Sequence, residues 1–147
     1  MSNTSFNIFD SLVFLTSRVS RLMSNSIRNS AGDESIRLLP THMGVLVDLW
    51  KQDGLRQQDL VVSAIKDKAT IARAIDNMES ENILVRVPDP NDKRYKRIYL
   101  THKGKSLQGH MTPHIKIVET SAVEEITEEE LQICKKVLRT VYNRLRN

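Results

Sequence analysis

The strongest constraint in this chain is a change of hydrophobic period near residue 84. Leu84-Val85-Arg86-Val87 and Arg97-Ile98-Tyr99-Leu100 have the alternating character of two short strands. The intervening PDPNDKRYK holds two prolines, an asparagine and two aspartates, a mixture that suits a hairpin tip and not a strand centre. On either side of this hairpin the apolar residues step by three and four, the spacing of amphipathic helices.

Six such helices are expected. The first covers residues 6–27, with Ile8, Leu12, Leu15, Val19, Leu22 and Met23 on one stripe; Phe6, Phe9, Val13 and Phe14 widen it beyond what one neighbour can cover. Asn25–Ser35 is polar, contains Gly32 and reads as a loop. Thr41 is the expected N-cap of the second helix, which buries Val45, Leu46, Leu49 and Trp50 and stops at Gln52-Asp53-Gly54. A third helix runs roughly from Arg56 to Ala64 and buries Leu60 and Val61. Asp67 caps a fourth, Lys68 to about Glu81, whose buried face is Ile71, Ile75 and Met78; Lys68, Thr70, Arg73 and Asn77 then face elsewhere. Asn82 follows, where a positive φ is wanted. Thr101 caps a fifth helix reaching about Val123, and Pro113 predicts a kink or break near Gly109–Pro113. Thr127-x-x-Glu130 is a capping box for the sixth, where Leu131, Cys134, Leu138, Val141 and Leu145 form a narrow seam suited to another helix.

Charge is unevenly placed. Lys plus Arg number 22 against 18 Asp plus Glu, a net +4 that permits a nucleic-acid partner without demanding one. From Arg86 to Lys105 there are seven basic and two acidic residues, while Glu119–Glu130 holds six glutamates and no Lys or Arg. Such a distribution fits either one face made for an anion or a solvated charged surface.

Three short helices followed by a hairpin is the plan of a winged helix-turn-helix, in which the last of the three helices enters the DNA major groove and the hairpin reaches the neighbouring backbone or minor groove. Cations stand where that plan needs them: Lys66 and Lys68 at the start of the fourth helix, Arg73 a turn along it, and Lys93, Arg94, Lys96 and Arg97 on the hairpin.

The run DLVVSAIKDKATIARAIDNMESENILVRVPDPNDKRYKRIYLTHKG resembles the core signature of the MarR (multiple antibiotic resistance regulator) family of bacterial transcription factors. The likeness rests on Leu60, the helix Lys68-Ala69-Thr70-Ile71-Ala72-Arg73, Met78, Ile83, Arg86, the wing Asp89-x-x-Asp92-x-Arg94, and Leu100-Thr101-x-x-Gly104. It implies a mainly helical fold with a two- to three-stranded wing. Residues 37–104 would form a winged helix-turn-helix, and residues 1–36 with 105–147 a helical dimerisation domain.

It further implies a homodimer held through Phe6, Ile8, Phe9, Leu12, Leu138, Val141 and Leu145, on a pseudo-palindromic double-stranded operator. The implied DNA-binding set is Lys66, Lys68, Ala69, Thr70, Arg73, Asn77, Lys93, Arg94, Lys96 and Arg97, with Arg94 in the minor groove and Asp92 bracing it. The implied activity is that of a repressor relieved by a small aromatic effector. Asn82 stands where the family usually has Gly, and Ala69 where it often has a small hydroxyl residue. The alternative is a winged-helix dimer that works mainly through protein partners, which would not need a basic wing.

Other chemistry finds little footing. There is no Gly-rich phosphate loop, nucleophile elbow or HExxH, so no enzyme, catalytic residue or cofactor is expected. The single Cys134 falls on the apolar seam, which favours a structural role over redox sensing. His110 and His114 are spaced i, i+4 and could face one metal ion, with His42 a third candidate, but no carboxylate in the same turn completes a set and no metal site is expected. Trp50 reads as core, with the lining of an effector cleft as the other reading. The longest uncharged stretch, Leu38–Val47, is far short of a membrane span, and the N-terminal residues lack the basic flank of a signal peptide, so a cytoplasmic location is expected.

Overall fold

The computed structural model describes residues 5–32 and 38–146. The described residues form six α-helices, α1 (Leu12–Ala31), α2 (Pro40–Lys51), α3 (Gln57–Ala64), α4 (Lys68–Ser80), α5 (His102–Ala122) and α6 (Glu128–Arg146), and a small antiparallel sheet that packs against α2 to α5. Its strands are β1 (Leu55–Arg56), β2 (Leu84–Pro88) and β3 (Lys96–Leu100), in the order β1-β3-β2. Leu84 pairs with Leu100 and Pro88 with Lys96 in the hairpin, while Arg56 pairs with Arg97 across the other edge.

The core lies within the three-helix and sheet unit. Val45, Leu46, Leu49, Leu60, Ile71, Ile75, Met78, Ile83, Leu84 and Ile98 are buried together, and Leu107 and Met111 bring the first half of α5 into the same cluster. Leu60 is fully buried as expected, and Val61 only partly. By contrast, neither α1 nor α6 buries any residue.

Local caps explain most boundaries. The Asp67 carboxylate accepts the Thr70 N–H, and Asn82 takes φ 57°, both as the sequence predicts. Thr127 and Glu130 exchange backbone-to-side-chain bonds at 2.9 and 3.2 Å, closing the capping box of α6. Thr101 Oγ1 accepts from Gly104 N–H and itself donates toward the Asn82 and Ile83 carbonyls. Gly104 sits so close to the Ile83 carbonyl oxygen that no Cβ would fit.

Four expectations need correction. The first helix does not begin at residue 6: Ile8–Asp10 form a single 3-10 turn, and the Ser11 hydroxyl both closes that turn on Ile8 O and caps α1 at Phe14 N–H. Nor does it end near residue 27. The polar stretch Asn25–Ala31 stays helical because Ile27 packs on the core and Ser30 meets His114 of α5 at 2.9 Å; the rest of the expected loop, Asp33–Ser35, lies outside the described residues.

The N-cap of α2 is Leu39, not Thr41. Pro40 occupies the first helical position and the His42 ring accepts the Leu39 N–H at 3.1 Å. Finally, α5 runs unbroken through Pro113. The proline removes one donor, but Met111 is buried before it and Ile115 packs on the core after it, which holds both sides in register. Among the described residues no helix is long and apolar enough to cross a membrane.

Candidate nucleic-acid interface

Helix α4 owes its placement to its buried face of Ile71, Ala74, Ile75 and Met78, which fixes Lys68, Arg73 and Asn77 on the exposed side. The Asp67 carboxylate accepts from both the Thr70 N–H and the Thr70 hydroxyl, at 2.8 and 2.7 Å. Those two bonds hold its pKa below the usual carboxylate range, so the N-cap stays ionised. Arg73 in turn donates to Thr70 Oγ1 at 3.2 Å. Thr70 is therefore half-buried and engaged within its own helix, whereas Lys66, Lys68, Ala69, Arg73 and Asn77 are exposed.

The wing carries its cations on both strands' ends and the tip. Arg94 is 84% exposed yet held rigidly: its guanidinium donates twice to Asp92, at 3.0 and 2.7 Å, and its backbone N–H donates to the same carboxylate. This bidentate contact pulls the Asp92 pKa down and pushes that of Arg94 up. The bracing expected of Asp92 is thus present geometrically. Lys93 and Lys96 are exposed beside it, and among the described residues Lys66, Lys68, Lys93 and Lys96 form no ion pair.

Lys68 from α4 and Arg94 and Lys96 from the wing converge on one cleft of about 270 Å³, floored by Gln57, Gln58 and Val61 of α3 and by Tyr95. Helix start and wing therefore present positive charge to a common space, as an anionic backbone requires.

Two arginines of the basic stripe do not belong to this open set. Arg86 lies inward, paired with Asp76 at 2.7 Å and Glu79 at 2.9 Å and donating to Gln57. Arg97 donates through Nε to Asp89 at 3.0 Å and through a terminal nitrogen to the Gly54 carbonyl at 2.9 Å. Asp89 is 0% exposed and also accepts from Arg56 at 2.8 Å and from the Asn91 N–H at 2.9 Å. The Asn91 bond first, then Arg56, hold its carboxyl below the ordinary range. Reading the sequence placed Asp89 in the wing motif but gave it no partner, and missed Arg56, because an Asp between prolines looks like a plain turn residue; the cue was a carboxylate in rigid backbone next to a strand rich in arginine.

The remaining candidates separate. Trp50 is half-buried against the core, with its indole N–H donating to the Gly104 carbonyl at 3.0 Å. His114 meets Ser30, His110 is exposed and His42 is buried at the start of α2; among the described residues no group of three potential metal ligands occurs. Cys134 is exposed, and among the described residues α6 buries none of its seam. The apolar set of the terminal helices is likewise open: Phe6 is 83% exposed and Leu145 80%, with Ile8, Phe9, Leu12 and Leu138 also exposed and Val141 half-buried.

Comparison with known proteins agrees with this geometry. Residues 38–96 match the MarR family. The transcriptional regulator HosA of Escherichia coli O111:H- is 28% identical over 90 residues, 61% of this chain and 67% of that protein. The HTH-type transcriptional regulator YybA of Bacillus subtilis (strain 168) is 32% identical over 62 residues, 42% of this chain and 41% of that protein. The aligned stretches therefore leave a third to more than half of these relatives unmatched. In fold the chain resembles CouR from Rhodococcus jostii RHA1 bound to p-coumaroyl-CoA, with a TM-score of 0.75 at 21% identity over 93% of this chain and 95% of that one.

Proposed function

We propose that the chain, whose residues 38–96 match the MarR family, is a member of it: a sequence-specific DNA-binding transcriptional regulator that acts as a homodimer, represses, and is relieved by a small-molecule effector. The observation that carries this reading is the cleft where Lys68, Arg94 and Lys96 meet, with Lys66, Arg73 and Lys93 exposed around it. Helix α4 then enters the major groove, and Arg94, pre-aligned by Asp92, enters the minor groove beside it. Asn77 and Ala69 stand on the same exposed side of α4, within reach of base edges or backbone. Arg97 acts here as a wing tether, through Asp89 and Gly54, more than as a phosphate contact.

The homodimer rests on the uncovered apolar residues of the terminal helices. Phe6, Ile8, Phe9 and Leu12 with Leu138, Val141 and Leu145 form more apolar surface than a lone chain in water favours. A second copy would cover them and set two winged units side by side on a pseudo-palindrome. For the effector, an apolar cavity of about 90 Å³ lies where α1, α2 and α5 meet, lined by Ile27, Leu38, Pro40, Met43 and Met111. A small aromatic ligand that widened it would shift the spacing of the two α4 helices.

An electrophoretic shift on the chain's own upstream DNA, with excess random duplex as competitor, tests the reading. A specific complex supports it, and its dissolution by an added aromatic acid would identify effector relief. Absence of any complex at low salt overturns it and leaves a winged helix working through protein partners.

A further inference from the structure

Resting on the DNA-binding reading, we propose that Arg56, Asp89 and Tyr95 are positioning residues that hold Arg94 ready for the minor groove. Arg56 lies on β1, directly opposite Arg97 on β3, a pairing of like charges that would repel without a counter-charge. Asp89 supplies it from below: Oδ2 accepts from both Nε atoms, at 2.8 and 3.0 Å, and Oδ1 accepts the Asn91 N–H at 2.9 Å. The same residue closes the tip by donating its backbone N–H to the Tyr95 carbonyl at 3.0 Å, and Tyr95 N–H donates to the Asp92 carbonyl at 3.0 Å. Asp89 thus fixes the base of the wing through its buried carboxylate and the residue next to Arg94 through its backbone N–H.

The side chains continue the chain of contacts. The guanidinium of Arg56, anchored on Asp89, lies over the Tyr95 ring at 4.8 Å. The guanidinium of Arg94 lies over the same ring at 5.9 Å while Asp92 grips its nitrogens. The aromatic ring is therefore held by one anchored cation and offers its π surface to the exposed one. Asp92 lies on the same tip as Arg94, whereas the ring connects Arg94 through Arg56 to buried Asp89 and the sheet. An arginine that is already ordered gives up less side-chain freedom when it enters a groove, which is how such a stack raises affinity without touching DNA.

The test uses full-length protein, a duplex selected from a random pool for binding to the wild type, and four variants: Arg94→Ala, Tyr95→Leu, Tyr95→Phe and the Arg94→Ala/Tyr95→Leu double. Leu keeps apolar bulk without the π face. Thermal melting of each confirms that it is folded. Tyr95→Leu should weaken binding by about twofold to thirtyfold, the range of a cation–π contact. The double variant should bind no worse than Arg94→Ala alone, and Tyr95→Phe should restore affinity. Independently of DNA, 15N relaxation of the Arg94 Nε–H in the free protein should show lower order in Tyr95→Leu and wild-type order in Tyr95→Phe.

Additive losses in the double variant would overturn the proposal, because Tyr95 would then act apart from Arg94. So would a Tyr95→Phe variant as weak as Tyr95→Leu, which would mark the hydroxyl as a DNA contact. Unchanged Arg94 order in Tyr95→Leu overturns it as well. A wild type that binds no duplex at low salt sinks the regulator reading instead, and the relaxation experiment still decides whether the stack orders Arg94.

Discussion

Salt dependence is the sharpest test of the proposed interface, because the structure separates cations that are free to meet phosphate from cations that are not. Lys66, Lys68, Arg73, Lys93 and Lys96 are exposed and form no ion pair among the described residues; Arg94 is neutralised by Asp92, Arg97 by Asp89, and Arg86 by Asp76 and Glu79. If each of the five meets one phosphate, counterion release gives a slope of log K against log salt of about −4.5 per chain and about −9 for a pair on one duplex. Between 50 and 200 mM salt the affinity of the pair should then fall by about 10⁵-fold, on the assumption that all five of these cations meet phosphate.

Single substitutions resolve the count. Lys96→Ala should flatten the slope by about 0.9 per chain, close to 2 for the pair. Arg97→Ala, one residue away, should leave the slope unchanged and lower the melting temperature, because it removes a partner of buried Asp89 and a bond to Gly54. Fluorescence anisotropy with a labelled duplex across a salt series reads the slopes, and circular dichroism reads the melting. Equal flattening by both variants, with Arg97→Ala melting like the wild type, would refute the division of the wing into tethers and contacts.

Three further outcomes concern stability. Gly104→Ala should be destabilised by about 1–3 kcal/mol in chemical denaturation, since a Cβ there would overlap the Ile83 carbonyl oxygen and disturb the Trp50 bond, outweighing about 1 kcal/mol of helix propensity gained. Ile65→Gly should raise the melting temperature. Ile65 sits at φ 53° and is 71% exposed, so relief of about 1–2 kcal/mol of left-handed strain exceeds the roughly 0.5–1 kcal/mol entropy cost of Gly, with little packing lost. Acidification should destabilise the fold. Asp67, Asp89, Asp92 and Glu130 all have folded-state pKa values below the usual range, so their contribution is complete above the ordinary carboxylate pKa of about 4 and fades as pH falls through the depressed values. A melting temperature level from pH 7 to pH 5 and falling below about pH 4 is expected, and a flat profile down to pH 2 would contradict it.

What could be read from the sequence was what depends on neighbours along the chain. The Asp67 cap, the left-handed Asn82, the Thr127–Glu130 box and the Asp92–Arg94 pair all join residues two or three apart, or one residue to its own backbone. The core face of α4 follows from its period for the same reason. What could not be read depends on partners far along the chain. Nothing local tells that Arg86 turns in to Asp76 and Glu79, or that Arg97 turns to Asp89 and Gly54, while Lys96 stays free. Nothing local keeps Asn25–Ala31 helical; α5 does, through contacts such as Ser30 with His114. Basic residues on a hairpin thus overstate its open charge, because strand parity alone cannot say which of them meet a buried carboxylate.

The two halves of the molecule are energetically unlike, and α5 is what joins them. Its first half is part of the winged unit: Gly104 is wedged against Ile83, accepts the Trp50 indole N–H, and leads to buried Leu107 and Met111. Its second half runs beside α1 and carries His114 to Ser30, in a region where α1 and α6 bury nothing of their own. Most helical stability in proteins comes from packing of an amphipathic face, so the helical half gains most of its stability only when its apolar faces are covered. In the proposed dimer, whatever sets the packing of α1 and α6 also sets where α5 points, and α5 is rigidly built into the unit that bears α4. Pro113 lies between buried Met111 and half-buried Ile115, at the joint between these halves, and removes one main-chain bond there. The apolar cavity beside Met111 opens at the same joint. A ligand there would act on the one place where the helix linking dimer contacts to DNA contacts is held by a bond fewer.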